Sequence, residues 1–186
     1  LVLVGDELLA GLVRDVNFEF LTKRLPSFGL AVRRAAFMGD DREPLAREIG
    51  TALAEGAVVI VAGGLGPTSD DVTRDAASDA LGRPLVHSSA AWAAVEGFYG
   101  GLSRAVPSGA KREALVPQGA QILDNPVGAA PGVMVETAPG GLLVLLPGVP
   151  AELRAVFEGG VAPLLAERFG QACRADLLRT CGMREA

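Results

Sequence analysis

The sequence predicts an α/β protein, a three-layer αβα sandwich around a mostly parallel mixed sheet. Three observations lead there. Short apolar runs alternate along the chain with segments of helical spacing, the pattern of strand-helix-strand units. Residues 57–62, AVVIVA, form a bare aliphatic run with no polar face, so this strand needs cover on both sides, as central parallel strands do. A Pro139-Gly140-Gly141 turn between two further apolar runs suits a hairpin and adds one antiparallel member.

The elements follow in order. Residues 1–4, LVLV, read as a buried strand opening into Gly5-Asp6-Glu7. From Asn17, Phe18, Leu21 and Leu25 recur on one helical face until Pro26 ends it. Residues 30–38 are β-rich but carry Arg33 and Arg34, which suits an edge strand. Asp40 and Asp41 are N-cap candidates for a helix with Leu45, Ile49 and Leu53 inward. Strand 57–62 runs into Gly63-Gly64-Leu65-Gly66, and a helix over 71–81 comes next, closed by Gly82. A short strand precedes His87, a Ser88 or Ser89 cap starts a helix reaching Phe98, and 111–115 reads as a short helical piece. Trp92, Phe98 and Tyr99 on that helix fit core packing. Strands are expected over 120–123, 133–136 and 142–146, and Pro147-Gly148-Val149-Pro150 leads into a helix with Leu153, Val156 and Phe157 inward.

A chain of 186 residues, 49% of them hydrophobic, is long enough for one well-buried core. The reading is one domain over residues 1–170, with 171–186 opening a further segment that the chain cuts short. No apolar run approaches the length a membrane helix needs, and residues 1–7 do not resemble a signal peptide, so a cytoplasmic protein without membrane partners is expected. Cys173 and Cys181 lack metal or redox spacing and read as ordinary thiols. A net charge of −5 with no basic cluster argues against direct nucleic-acid binding.

Three polar or glycine-rich loops each directly follow a strand: 5–7, 63–71 and 147–152. In open α/β sheets ligands sit beyond the carboxyl ends of parallel strands, so these loops are expected to share one edge. In the central loop, GGLGPTSDDVT, glycines let backbone N–H groups approach a ligand, and the helix after it adds its positive end. The loop has neither the lysine of a Walker motif nor the third glycine of a dinucleotide fingerprint. Three glycines and a proline also make a tight strand-to-helix turn, with Asp70 and Asp71 as caps. Beside an anion-binding loop, the carboxylates Asp6, Glu7, Asp70, Asp71 and Asp75 call for an intervening cation, Mg²⁺ or a similar hard ion. The single histidine, His87, lies outside these loops, so a nucleophilic triad has no candidate and hydrolysis would use metal-activated water.

Taken together, GDELLAG with Asp15 and Asn17, then MGDD, GGLGPTSDDVTRDA, LGRPL, NPVGAAPG and LPGVPAEL resemble, in order and spacing, the N-terminal domain of the competence/damage-inducible CinA family. The resemblance runs from Leu1 to about Phe157. The wider superfamily includes the molybdopterin-binding proteins MoaB and MogA, whose GGTG loop corresponds to Gly63-Gly64-Leu65-Gly66. The resemblance implies a molybdopterin-binding-type αβα fold, self-association as a dimer or trimer, and in some members a metal-dependent pyrophosphatase acting on ADP-ribose. Asp70, Asp71 and Glu7 would then be catalytic, with Asp70 and Asp71 on a divalent metal (Mg²⁺, Co²⁺ or Ni²⁺). Asp6, Asn17, Gly63, Gly64, Gly66, Thr68, Thr73, Pro147, Gly148 and Glu152 would hold the nucleotide or pterin phosphate. The alternative is a domain that binds molybdopterin or a nucleotide without turnover. Asn125, Gly128 and Pro150 match as well. The chain departs from the family at Ser108-Gly109-Ala110, where an Asn-rich stretch is usual, which weakens substrate contacts expected there. The Arg179-Thr180-Cys181-Gly182 segment resembles the entry to the next region of longer members, many of which end in an amidase domain.

Overall fold

The structure, a computed structural model, describes residues 1–56, 58–138 and 140–170. Ala57 of the expected strand, Pro139 of the expected turn, both cysteines and the 171–186 segment lie outside the described residues.

The first strand, β1 (Val2–Val4), is buried along its whole length. A single helical turn comes next, α1 (Asp6–Leu9), and then α2 (Asn17–Arg24). The α-helix ends at Arg24, just before Pro26, as expected. Pro26 itself sits early in a 3-10 turn, Leu25–Phe28, where its missing N–H costs no hydrogen bond. The edge strand β2 is only Ala36–Met38, shorter than the β-rich stretch suggested. Upstream of it Arg34 reaches out to Glu48 at 2.9 Å and Glu55 at 3.1 Å. Both belong to α3 (Arg42–Glu55), capped by Asp41, which accepts the Glu43 amide. Next come β3 (Val58–Ala62) and α4 (Thr73–Leu81), which closes on left-handed Gly82 as expected.

One unit was not anticipated. β4 (Leu85–His87) and β5 (Leu115–Pro117) pair antiparallel as a separate two-stranded ribbon. Between them run α5 (Ser89–Gly101), capped by Ser88, and a 3-10 segment, Ser108–Ala114. Because α5 packs on that segment outside the main layers, it buries Ala91 and Val95 but leaves Trp92, Phe98 and Tyr99 half exposed. These three aromatics are therefore not core. Trp92 leans on exposed His87 with ring centroids 6.5 Å apart, and Phe98 meets Tyr99 edge-on.

The chain finishes with β6 (Gln121–Leu123), β7 (Gly132–Thr137), β8 (Gly141–Leu146), α6 (Pro150–Val156), a π-type turn Phe157–Val161 and α7 (Ala162–Phe169). The six main strands lie in the order β2-β1-β3-β8-β7-β6. β1 is parallel to β2 and β3, β3 is parallel to β8, and β7 alone runs against its neighbours. This is the expected mixed sheet.

Alternation along the strands builds the two outer layers. Leu3, Ile60, Leu142, Val144 and Leu146 face α2, α6 and α7 through Leu21, Leu153, Phe157 and Leu165. Val2, Val4, Val59, Val61, Leu143 and Leu145 face α3 and α4 through Leu45, Ile49, Ala76 and Ala77. Both faces of the sheet are dry, which is why the central strands carry no polar residue. No helix among the described residues is long and apolar enough to cross a membrane.

Leu145 sits at the centre of this packing with no exposed surface. Leu145→Ala should cost about 2–5 kcal/mol in urea unfolding. Leu12→Ala, at a side chain 79% exposed, should stay within about 0.5 kcal/mol of the parent.

Candidate functional site

The strand order places a cleft. β1 lies between β2 on one side and β3 on the other, so the connections leave it in opposite directions and open a crevice at the carboxyl ends. The loops after β1, β2, β3 and β8 meet there. Gly5, Glu7, Asp40, Gly63, Gly64, Asp70, Asp71 and Gly148 line the cleft, and Val13, Arg14, Asp15 and Asn17 close it from the segment between α1 and α2.

Thr73 shapes the glycine loop. Its hydroxyl donates to the Gly63 carbonyl at 2.8 Å and its amide donates to the Gly64 carbonyl at 3.2 Å. In a trans peptide the next N–H points opposite to the carbonyl, so the Gly64 and Leu65 amides turn away from Thr73. Neither has an acceptor among the described residues. Gly64 has φ +65°, and a side chain there would also collide with the Thr73 hydroxyl. The backbone donor on this wall is therefore free because the residue beneath it is committed to two carbonyls.

Asp71 organises the next turn. Its carboxylate accepts the Gly66 amide at 2.7 Å, the Thr68 amide at 2.9 Å and the Thr68 hydroxyl at 2.5 Å. A Cβ on Gly66 would come within 2.5 Å of that carboxylate. Neither Asp70 nor Asp71 caps α4, whose cap position is Val72 without a side-chain bond. Asp70 is fully exposed, and the neighbouring polar groups of Thr68, with those of its own backbone, hold its carboxyl below the ordinary range.

Across the cleft, two loops clasp each other. The Asp6 amide donates to Asp40 at 3.0 Å and the Asp40 amide donates to Asp6 at 3.2 Å. Burial pushes the Asp40 carboxyl above the ordinary range, and the negative charges of Asp6, Glu7 and Asp70 add to this against the hydrogen bond from the Asp6 amide. Arg14 is a cation of the same cleft and makes no ion pair among the described residues.

Beneath the loop lie two buried groups of opposite charge, Arg74 and Glu113, with no direct ion pair between them. Arg74 is 3% exposed and donates to the Leu65 carbonyl at 2.6 Å and the Gly66 carbonyl at 3.4 Å. Burial pulls its guanidinium down to about 10, opposed chiefly by Glu113. Burial also pushes Glu113 up to about 7, with Arg74 pulling down and the charges of Asp71 and Glu152 pushing further up.

The expected site residues divide accordingly. Glu7, Asn17, Gly63, Gly64, Asp70, Asp71 and Gly148 come together at the cleft. Asp6 stands behind Asp40, and Pro147 precedes the cleft wall at Gly148. Thr73 is fully buried, so it positions the loop instead of touching a ligand, and Gly66 and Thr68 serve Asp71. Glu152 is not among the residues lining the cleft and accepts from Asn125 at 2.7 Å, while Asn125 also donates to the Ala130 carbonyl. Asp40, Arg14, Arg74 and Glu113 were missed as site residues. The Gly39-Asp40 loop carried the same signal as the other three, a polar turn directly after a parallel strand, but its aspartates also fitted a helix cap. Asp41 alone takes that role.

This geometry sets two expected outcomes. Thr73→Val keeps the shape but strands the buried Gly63 carbonyl, and should cost about 1–3 kcal/mol in denaturant unfolding. Glu113 holds a proton up to about pH 7 in the fold but only to about 4.5 when unfolded. Its contribution is complete below pH 4.5 and is lost as pH rises towards 7. Thermal melting should show the midpoint falling by a few degrees across that window, and Glu113→Gln, neutral throughout, should remove most of the fall.

Comparison with known proteins agrees with the fold and the motifs. The family described as "Probable molybdopterin binding domain" matches residues 1–167. A CinA-like protein of Salinibacter ruber is 42% identical over 186 residues, all of this chain but 45% of that protein, so the chain spans less than half of it. The crystal structure of the protein CinA from Thermoplasma acidophilum superposes with a TM-score of 0.78 at 32% identity, covering 84% of this chain and 91% of that one. The molybdopterin biosynthesis enzyme MoaB from Thermus thermophilus shares the fold, with a TM-score of 0.57 at 18% identity over 89% of this chain and 92% of its own. With a family match over nearly all the described residues and a CinA structure aligned along its length, the chain belongs to the CinA-like branch of the molybdopterin-binding-domain family.

Proposed function

We propose that the cleft binds a phosphate-bearing nucleotide with a divalent cation, and that the chain hydrolyses the pyrophosphate bond of ADP-ribose or a related dinucleotide. One observation carries the reading: Gly64, whose amide has no acceptor among the described residues, lines the same cleft as Glu7, Asp40 and Asp70. A backbone amide on a glycine loop suits a phosphate oxygen. Phosphate beside three carboxylates is repelled unless a cation lies between them.

The side chains fit such an ion. They offer only carboxylate oxygens, and the like-charge pressure on Asp40 is what a cation would relieve. Among the described residues no three His, Cys, Asp or Glu side chains form a ready cage. Mg²⁺ commonly takes one or two carboxylates and completes its shell with ligand phosphates and water. Glu7 and Asp70 would hold it, while Asp71 keeps the loop. When bound, such a cation supplies charge neutralisation for the phosphates and lowers the pKa of water.

The chain's own groups do the remaining work. Gly64 would position the phosphate, and Arg14, in the same cleft lining, would add a positive charge to it. Asp40 Oδ2 is tied to the Asp6 amide, leaving Oδ1 to take the proton of the attacking water. A carboxyl with raised affinity for protons is suited to that step. A second reading, molybdopterin or nucleotide binding without turnover, draws on the family's description and on a cleft lining that pairs no nucleophile with a base.

Incubation with ADP-ribose and Mg²⁺, Co²⁺ or Ni²⁺ should release AMP, and EDTA should stop it. No AMP with any metal overturns hydrolysis, and tight molybdopterin binding without ADP-ribose binding selects the second reading. Asp40→Asn should lower kcat about 100-fold or more with the melting temperature unchanged or raised. Asp71→Asn should lose activity and melting temperature together, because one amide cannot replace a carboxylate that accepts three hydrogen bonds.

A further inference from the structure

The carbonyls of residues 63–66 are all held from the first turn of α4. Thr73 donates to those of Gly63 and Gly64, and the Arg74 guanidinium donates to those of Leu65 and Gly66. Arg74 therefore does for the second half of the glycine loop what Thr73 does for the first. The difference is charge. A buried guanidinium sets a full positive charge behind a loop whose Gly63, Gly64, Asp70 and Asp71 line the cleft, and away from water such a charge acts over a longer range.

Glu113 is the other charged group buried beneath the loop. It is 2% exposed, its Oε2 has no donor among the described residues, and Arg74 Nε has no acceptor there either. The 3-10 segment that carries Glu113 lies against the loop. Arg112 donates to the Asp71 carbonyl at 3.5 Å and to the Asp75 carboxylate at 3.1 Å, and a Cβ on Gly109 would come within 3.3 Å of the Pro67 carbonyl. The charges acting on Glu113 are Arg74 from α4, Asp71 from the loop and Glu152 from α6, with Asp75 and Arg112 paired beside them. α5, packed on the same segment, carries one charged residue, the exposed Glu96, and β5 carries none. Burial raises the Glu113 carboxyl to about 7 while Arg74 opposes the rise, so this group changes charge near neutrality.

The two states of Glu113 differ in what they leave of the Arg74 charge. A protonated carboxyl leaves the guanidinium without its buried counter-charge, and an ionised one offsets it. We infer that Arg74 and Glu113 form a proton-linked control of the anion seat, in which protonated Glu113 leaves the Arg74 charge to favour an anion at Gly64 and ionised Glu113 cancels it. This rests on the phosphate reading of the cleft and adds a regulation exerted by two residues that line no part of it. The sign follows from linkage: an anion in the cleft disfavours the ionised carboxylate, so binding takes up protons and tightens as pH falls through the Glu113 transition.

Titration calorimetry in Mg²⁺ with dimethyl phosphate, a monoanion whose charge is constant near neutrality, tests this. The parent should bind it about threefold or more tightly at about pH 6 than at about pH 8, with the transition near 7. Titrations at the transition in two buffers of different ionisation enthalpy should show protons taken up on binding. Glu113→Gln, uncharged at every pH, should bind at both pH values as tightly as the parent does at the lower one, and take up no protons. A parent whose affinity does not change with pH overturns the control and leaves the phosphate seat standing. So does a Glu113→Gln protein that keeps the parent's pH dependence. Failure of the parent to bind the probe at either pH overturns the phosphate reading and the inference with it. Should Glu113→Gln not fold, the double variant Asp40→Asn with His87→Gln decides, because it removes the raised carboxyl of the cleft and the chain's one histidine. A transition kept near 7 in that variant upholds Glu113, and its loss overturns the control.

Discussion

A single threonine holds the cleft in shape. Thr73 has no exposed surface, yet both of its hydrogen-bonding groups reach back to consecutive carbonyls of the loop that precedes it. That double tether makes the turn from β3 into α4 rigid and requires glycine at 64. It also turns the Gly64 and Leu65 amides away from Thr73. The loop is not flexible because it is glycine-rich; its glycines are what allow it to be held this tightly. β3 reaches the same point through Gly63, whose amide bonds the last carbonyl of β8. The ends of two central strands, the start of a helix and the cleft-lining backbone are therefore one mechanical unit.

The electrostatics divide across that unit. Below the loop a buried guanidinium draws the Leu65 and Gly66 carbonyls inward, and above it carboxylates gather around Asp40. Asp71 stands between the two, spending its charge on backbone amides. Its position bears on how a chain of net charge −5 could offer the proposed anion seat: the carboxylate nearest the loop has its oxygens engaged by backbone amides, and those further out remain available to the proposed cation.

Much of this was legible from residue order alone, because it depends on local pattern. The bare β-branched run of β3 announced a strand covered on both faces, and glycine-rich turns directly after apolar runs announced the edge at which the loops would meet. Thr73 and Glu152 were legible as distinctive residues but not as braces, since a spacing motif does not tell a group that touches a ligand from one that holds its neighbour. Asp40 was hidden by the equivalence of a helix cap and a strand-end carboxylate. Arg74 and Glu113 influence one another only through the fold, Glu113 lying in a 3-10 segment that a charge count reads as solvated surface. The aromatics of α5 were misplaced because amphipathic spacing shows that a helix has an apolar face, not that the main core is what covers it.

The pairing of β3 with β8 carries a consequence for how the chain is made. During synthesis β3 emerges with Leu142 to Leu146, its ladder partners, still untranslated, and for that interval its apolar backbone edge is open. An aliphatic strand with a free edge is a template for any other extended chain, so the nascent protein passes through a sticky intermediate that its finished form does not resemble. Closing the edge means bringing together segments separated by the whole of α4, the β4–β5 ribbon and α5, a distant contact that folds slowly. The strand that leads into the cleft wall at Gly148 is also the one that ends this exposure.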